Sequence, residues 1–158
     1  MIQILPASPA NAEVIARLNQ SVHQIHLDRV PHFFRQPGEI ERLEAFKELL
    51  TQANTCAFIA YADIEAIGYV LAIIHERPAS VFSPARRWLY VDQISVEPIW
   101  KKRGIGRQLM QAVLDYAHAA GITELETDTW AFNDASQAFF KSCGFQPKII
   151  RHWLDGGA

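Results

Sequence analysis

The stretch EPIWKKRGIGRQLM, residues 97–110, decides the predicted fold because it joins the end of a strand to the start of a helix. Gly104 and Gly106 allow a ligand to approach the backbone closely. Cations crowd the expected helix N-terminus, where the helix dipole normally attracts acids: Lys101, Lys102, Arg103 and Arg107. A bound phosphate would relieve their mutual repulsion, so the stretch predicts an anion site at a helix start. The alternative is a solvated basic helix end.

Length and composition indicate one domain covering residues 1–158. Apolar residues make up 49% of the chain, and the net charge of −2 provides no overall field for nucleic acid or an acidic membrane. Two cysteines are too few for a disulfide framework, which favours a reducing compartment. The first ten residues do not resemble a signal peptide, and the apolar run 66–74 is too short to span a bilayer. We therefore expect a soluble, cytoplasmic protein without nucleic-acid or membrane partners.

Apolar spacing and turn residues predict strands early in the chain and alternating helices and strands later. The predicted strands are residues 1–5, 56–62, 66–74, 88–96, 124–132 and 145–154, with a loop at 76–87. The predicted helices begin at Ser8-Pro9, cover residues 40–50 and 102–120, and include a short helix within 133–144 with Asp134 in a capping box. The order β-α-α-β-β-β-α-β-α-β predicts an α/β (α+β) fold with a mixed sheet.

Two longer stretches carry a resemblance to a known family. SVEPIWKKRGIGRQLM, residues 95–110, resembles the central motif of the GCN5-related N-acetyltransferases (GNAT), which is Q/R-x-x-G-x-G/A after a strand ending in V-x-P. ELETDTWAFNDASQAFFKSCGF, residues 124–145, resembles the segment that follows in this family: a strand, an asparagine and a helix ending in an aromatic-x-x-x-G-F pattern. The resemblance covers about residues 88–146 and implies a mostly antiparallel central sheet with helices on both faces.

The resemblance implies that acetyl-CoA is the cosubstrate. The backbone of residues 101–106 would cradle the pyrophosphate, and the backbone of residues 94–96 would pair with the pantetheine arm where two strands part. An N–H near Ile94 would stabilise the oxyanion, and Asn133 matches the family's asparagine, with a helix cap as its alternative. The implied cofactor-binding residues are Ile94, Ser95, Val96, Lys101, Lys102, Arg103, Gly104, Ile105, Gly106, Arg107, Asn133 and Phe140.

Three positions depart from the family pattern. Lys101 replaces the usual Arg or Gln, a mild change where that slot acts through its backbone N–H. Lys102 stands where many members have glycine, which predicts an ordinary backbone angle there. Phe140 occupies a slot that is commonly a tyrosine, whose hydroxyl protonates the departing thiolate. Because a thiol with a pKa near 8.5 leaves readily, Phe140 is expected to line the CoA pocket or to belong to the core.

Acetylation of an alkyl amine requires removal of a proton, because the pKa of such an amine is about 10.4. The resemblance places Asp128 where many members carry glutamate, and Asp92 lies on the preceding strand in a position that is often acidic. Either carboxylate, if buried with a raised pKa, would serve as base or hold the incoming ammonium. The alternative for each is a salt-bridged or solvated strand residue, and the pattern does not exclude Glu126.

Candidate acceptor-binding residues lie in the first helix and the loop that follows it, in a region that tends to form the acceptor wall in this fold, and on the strand before Asn133: His26, His32, Phe33 and Trp130. Exposed histidines and anchoring or core aromatics are the alternatives. The i, i+3 spacing of His23 and His26 matches no metal motif, so no metal is expected.

The sequence is interpreted as an N-acetyltransferase that moves the acetyl group of acetyl-CoA to a primary amine of a small molecule, a peptide or a protein. A non-catalytic acetyl-CoA-binding regulatory module is the alternative, and the missing tyrosine favours it. A nucleotide- or nucleic-acid-binding module rests only on the basic cluster. Trp153 is expected either to cover an apolar edge or to join a homodimer interface.

Overall fold

The computed structural model describes residues 1–157 and contains five strands and four α-helices among them. The strands are β1 (Ile2–Pro6), β2 (Thr55–Ala62), β3 (Glu65–Arg77), β4 (Arg86–Val96) and β5 (Leu125–Thr127). The helices are α1 (Ala12–Arg29), α2 (Glu39–Thr51), α3 (Ile105–Ala119) and α4 (Asp134–Ser142), with 3-10 turns at Pro9–Asn11 and Pro98–Trp100. The chain divides into two compact units, Met1–Asp128 and a second that begins at Thr129.

The first unit is built on one sheet with the strand order β1-β2-β3-β4-β5. Neighbouring strands are antiparallel except β4 and β5, which pair in parallel. Successive side chains of a strand point to opposite faces, so β2 and β3 supply apolar side chains to two layers. The prediction of a mixed, mostly antiparallel sheet is confirmed.

Helices cover both faces of this sheet. On one face, Ile15 and Leu18 of α1 and Phe46 of α2 form a buried cluster with alternate residues of β2 and β3, including Tyr69. On the other face, Tyr116 of α3 meets Phe58 of β2 with ring centroids 6.5 Å apart. The apolar stripe of α3 is buried, at Ile105, Leu109, Met110, Val113 and Ala117. The expected helices on both faces are therefore present.

Some predicted elements differ from those observed. The loop predicted at 76–87 is shorter, because cross-strand pairs extend β3 and β4 and Arg87 bonds Glu76 at 3.0 Å. The strand predicted at 124–132 is reduced to Leu125–Thr127. The strand predicted at 145–154 is wrong: no strand forms in that described range, and Ile149 and Ile150 stay exposed. The short helix is capped by Asn133 rather than by Asp134.

The helix predicted from Lys102 begins instead at Ile105. Lys102 and Gly104 have φ angles of 61° and 80°, in the left-handed region, which interrupts a right-handed helix. None of the helices formed by residues 1–157 is long and apolar enough to cross a membrane.

Candidate active site

Strand β4 separates from β5 at a β-bulge. The parallel pairing of these strands covers only three residues and ends at Val91 opposite Thr127. On the other side of β4, the register with β3 passes from Val91 opposite Ala72 to Gln93 opposite Leu71, which leaves Asp92 without an opposite residue. Bulges bend a strand and redirect its side chains, and they are common beside active sites. The bulge therefore marks the point where β4 leaves its partner.

Beyond the bulge, β4 has an edge that β5 does not pair. Glu97 N–H donates to Ile67 O at 2.8 Å, and backbone groups of a strand alternate between its two edges. By this alternation Ser95 directs its N–H and C=O toward β3, whereas Ile94 and Val96 direct theirs toward the unpaired edge. Of the three residues predicted to pair with a pantetheine arm, only Ile94 and Val96 thus present their backbone groups to the gap.

The cationic stretch 101–107 lies between a 3-10 turn and α3, and its first four residues are exposed. The first intrahelical bond of α3 is donated by Gln108 N–H to Gly104 O, so the N–H groups of residues 105–107 precede the hydrogen-bonded ladder. The first turn contains no acidic residue. These features are those of a helix start that is open to an anion, and the anion site itself stays a prediction.

Lys102 corrects one expectation within this stretch. Its φ of 61° places a lysine in the left-handed conformation that many family members fill with glycine, so the ordinary backbone angle predicted for this position is wrong. The guanidinium of Arg103 lies over the ring of Trp100, 5.0 Å from its centroid. This cation–π contact holds Arg103 near the turn.

The two carboxylates proposed for catalysis are both exposed, so burial supplies neither with the environment expected of a base. Asp92 accepts a hydrogen bond from Gln93 Nε2 at 3.0 Å. Asp128 accepts one from the Tyr90 hydroxyl at 3.3 Å. Glu126, which the pattern did not exclude, is ion-paired with Arg86. Asp92 and Asp128 therefore stay available to solvent and ligands, whereas Glu126 is engaged.

His23 and His26 of α1 pack against Phe34. The His26 ring stacks on Phe34 at 4.8 Å, and its Nδ1 lies 2.8 Å from Val22 O. The pKa of His26 is lowered from its usual value, and burial is the largest cause. The hydrogen bond to Val22 acts in the opposite direction, and nearby His23 lowers the pKa further. His32 is exposed and Phe33 is 48% exposed. Phe34 thus anchors the segment after α1 to this helix.

A polar chain that the sequence did not reveal crosses the face covered by α1 and α2. The Tyr69 hydroxyl donates to Gln93 Oε1 at 2.7 Å, and Asn19 Nδ2 donates to the same Tyr69 oxygen at 3.0 Å. Arg42 Nη1 donates to Asn19 Oδ1 at 3.1 Å. Burial raises the pKa of Tyr69, so its hydroxyl stays protonated and acts as the donor.

Helical spacing contained a signal for two of these residues. Asn19 follows the buried Ile15 by four residues, and Arg42 precedes the buried Phe46 by four, so both fall on core-facing stripes. Beside them lies a cavity of about 260 Å³ whose walls include Asn19, Arg42 and Gln93.

The remaining predicted residues belong to the second unit. Asn133 caps α4 by accepting the Ser136 N–H at 3.0 Å, as its alternative reading required. Phe140 is buried and lies edge-on to Phe139 and Phe145, each with a centroid distance of 5.2 Å. Trp130 stacks near Phe132 at 6.4 Å. Their roles toward a cofactor or acceptor stay predictions.

Comparison with known proteins identifies the family of this chain. A sequence model of the acetyltransferase (GNAT) family matches residues 19–145. The chain is 29% identical over 133 residues to aminoglycoside N(6')-acetyltransferase type 1 of Salmonella typhimurium, covering 80% of this chain and 90% of that protein.

Two solved structures show the same fold. A tetramutant of the BH1408 protein from Bacillus halodurans matches with a TM-score of 0.90 at 21% identity, covering 97% of this chain and 99% of that one. The aminoglycoside N-acetyltransferase AAC(6')-Iy in complex with CoA matches with a TM-score of 0.79 at 22% identity, covering 99% and 96%. At identities of 21% and 22%, these structural matches support the fold and nothing more. Because the family match spans most of the sequence and includes the β4–α3 segment, the chain belongs to the acetyltransferase (GNAT) family and is an acetyl-CoA-dependent N-acetyltransferase.

Proposed function

We propose that the protein acetylates a primary amine of a small molecule at the unpaired edge of β4. The observation that carries this proposal is the end of the β4–β5 pairing at Val91 and Thr127. Beyond it, β4 continues to Val96 without β5 and leads toward the cationic stretch 101–107. A free strand edge followed by an exposed anion site suits a ligand with an amide-bearing arm and a diphosphate.

The residues of this chain fit acetyl-CoA in two places. Backbone N–H groups at residues 105–107, with the cations Lys101, Lys102, Arg103 and Arg107, would hold the pyrophosphate. The backbone groups of Ile94 and Val96 would hydrogen-bond the pantetheine arm as an added strand does. Gly104 adopts a left-handed φ of 80° that a side chain would disfavour at this turn.

The acetyl transfer requires few catalytic groups from the protein. Acetyl-CoA supplies the thioester carbonyl carbon that an amine nitrogen attacks, so that a C–N bond forms, the C–S bond breaks, and CoA leaves as a thiolate that takes up a proton. The Ile94 N–H is the donor proposed to stabilise negative charge on the carbonyl oxygen. Asp92 and Asp128 would attract the incoming ammonium and pass its proton to water.

Two observations support a small acceptor. A relative aligned over most of both chains is an aminoglycoside N(6')-acetyltransferase, and its name specifies a small-molecule acceptor. The cavity beside Gln93 measures about 260 Å³, slightly below the range usual for drug-sized ligands, so it has room for only a small group.

The test is acetylation of a panel of primary amines and peptides, read by mass spectrometry, with the wild type, Asp128→Asn and Asp92→Asn compared at pH 7 and pH 9. If Asp128 receives the amine proton, its variant loses roughly 100-fold in kcat/KM at pH 7. The loss shrinks at pH 9, where more of the amine is already neutral. A pH profile identical to that of the wild type would remove Asp128 from this role, and peptides acetylated in preference to small amines would overturn the acceptor class.

A cytoplasmic location is part of the proposal. Both cysteines, Cys56 and Cys143, are free thiols, as expected in a reducing compartment. The homodimer considered for Trp153 stays a prediction.

A further inference from the structure

Arg42 is a buried cation that has no carboxylate partner within residues 1–157. Arg42 lies in α2 among the core residues and is only 7% exposed. Its side-chain Nη1 donates to the neutral amide oxygen of Asn19, at 3.1 Å. Among the described residues, no carboxylate lies within ion-pair distance of it. Buried charges are ordinarily paired, because an unpaired guanidinium away from water is costly.

Among the described residues, Arg42 is the charged residue of the cavity lining that has no ion-pair partner. The other charged residues of the lining, Arg35 and Glu41, form an ion pair with each other at the exposed rim. His23 uses Nε2 in a bond of 2.8 Å with Arg35 O. Phe46 and Leu49 supply an apolar part of the wall. The cavity therefore suits a short aliphatic chain that ends in an anion.

Gln93 links the wall of this cavity to the bulge of β4. Gln93 lines the cavity and sits on β4, one residue before Ile94. Its Nε2 donates to Asp92 at the bulge, and its Oε1 accepts from Tyr69 and Asn19. A molecule seated on Arg42 would thus extend along a continuous polar wall toward Asp92.

We infer that this cavity binds a carboxylate of the acceptor, held by the Arg42 guanidinium, so that the preferred substrates are amino carboxylic acids rather than amines without an anionic group. The inference rests on the proposed function and names its substrate class. Arginine suits this task because its planar donors match a carboxylate in bidentate geometry.

The kinetic test uses matched pairs: ω-amino carboxylic acids of increasing length against n-alkylamines with the same number of methylenes. The wild type is expected to prefer the acid of the best-fitting length in kcat/KM. Arg42→Met should lower this ratio at least about tenfold, the loss of one charge-assisted interaction. Arg17→Met is the matched control, because it removes the same charge from the exposed face of α1, where Arg17 bonds Ala66 O. Equal kcat/KM for acids and alkylamines in the wild type would overturn the inference.

A binding test keeps the inference separate from turnover. Pentanoate should bind the wild type in calorimetry and inhibit acetylation, whereas neutral pentanamide should do neither. Arg42→Lys, which keeps the charge without the planar fork, should bind pentanoate more weakly. Pentanoate binding without acetylation of any amine would sink the proposed function and leave the carboxylate site intact. If the wild type acetylates amines but pentanoate neither binds nor inhibits, the carboxylate site is wrong and the proposed function stands.

Discussion

His26 is half-buried against Phe34, with its Nδ1 bonded to the Val22 carbonyl. Burial is the largest cause of its lowered pKa. In the unfolded chain its pKa is near 6.5, so the unfolded state binds a proton before the folded state does. The contribution of His26 to stability is therefore present above pH 6.5 and is lost as the pH falls through the folded-state pKa.

Replacing His26 with Gln should remove this pH-dependent loss of stability. We expect the free energy of unfolding in urea to fall more between pH 7.5 and pH 5.5 for the wild type than for His26→Gln, because glutamine has no proton to gain. His32→Gln is the comparison variant, since it removes an exposed histidine from the same region of the chain. An equal pH dependence in the wild type and His26→Gln would contradict the assigned burial.

At the scale of elements, β3 and β4 approach closely at Gly68. A Cβ built at Gly68 would lie 2.7 Å from Ser95 O and 3.3 Å from Val96 Cα. These backbone atoms belong to the part of β4 that presents Ile94 and Val96 to the open edge. The absence of a side chain at Gly68 thus helps to position that edge.

Gly68→Ala should displace β4 at Ser95. We expect a loss of about 1–3 kcal/mol in the free energy of unfolding, the usual cost of overpacking. Weaker CoA binding should accompany it, because the displaced backbone would pair poorly with the pantetheine arm. Urea denaturation and calorimetry measure the two effects. Gly156→Ala, at a position with nothing within 4 Å, should change neither quantity. Full stability in Gly68→Ala would argue against the close approach.

At the scale of the whole molecule, the local charge at the start of α3 is opposite in sign to the net charge. The net charge is −2, yet four cations lie within seven residues at 101–107. Exposed charges interact over about 8 Å at physiological ionic strength, so CoA should respond to the local cluster and not to the net charge.

Calorimetry of CoA at low and high KCl tests this. Arg103→Gln and Arg107→Gln should each weaken binding roughly threefold at low salt, the scale of one exposed ion pair, and reduce the salt dependence. Lys47→Gln changes the net charge equally but removes a lysine of α2 that is paired with Glu44 at 2.9 Å. It should leave CoA binding unchanged. An equal effect of all three substitutions would assign the response to net charge.

Much of the fold was predictable, because periodicity reports which face of an element is buried. The stripe of α3, the hairpin of β2 and β3, and the strand before Glu97 follow from the spacing of apolar residues. Apolar composition also misled, since FQPKIIRHWL was predicted to be a strand and leaves Ile149 and Ile150 exposed. A strand requires a neighbour to bond its backbone, and local composition does not report one.

The sequence by itself determined the strand–loop–helix on which the anion site is predicted and the family to which the chain belongs, because glycines, cations and apolar spacing are local properties. Only the tertiary structure decided that β4 and β5 part after Val91, that Lys102 takes a left-handed angle, and that Arg42, Asn19 and Gln93 meet at one cavity. These features depend on register and on contacts between residues far apart in the chain. The side chains of α1, α2 and β4 come together only when the sheet and the helix layer are packed against each other.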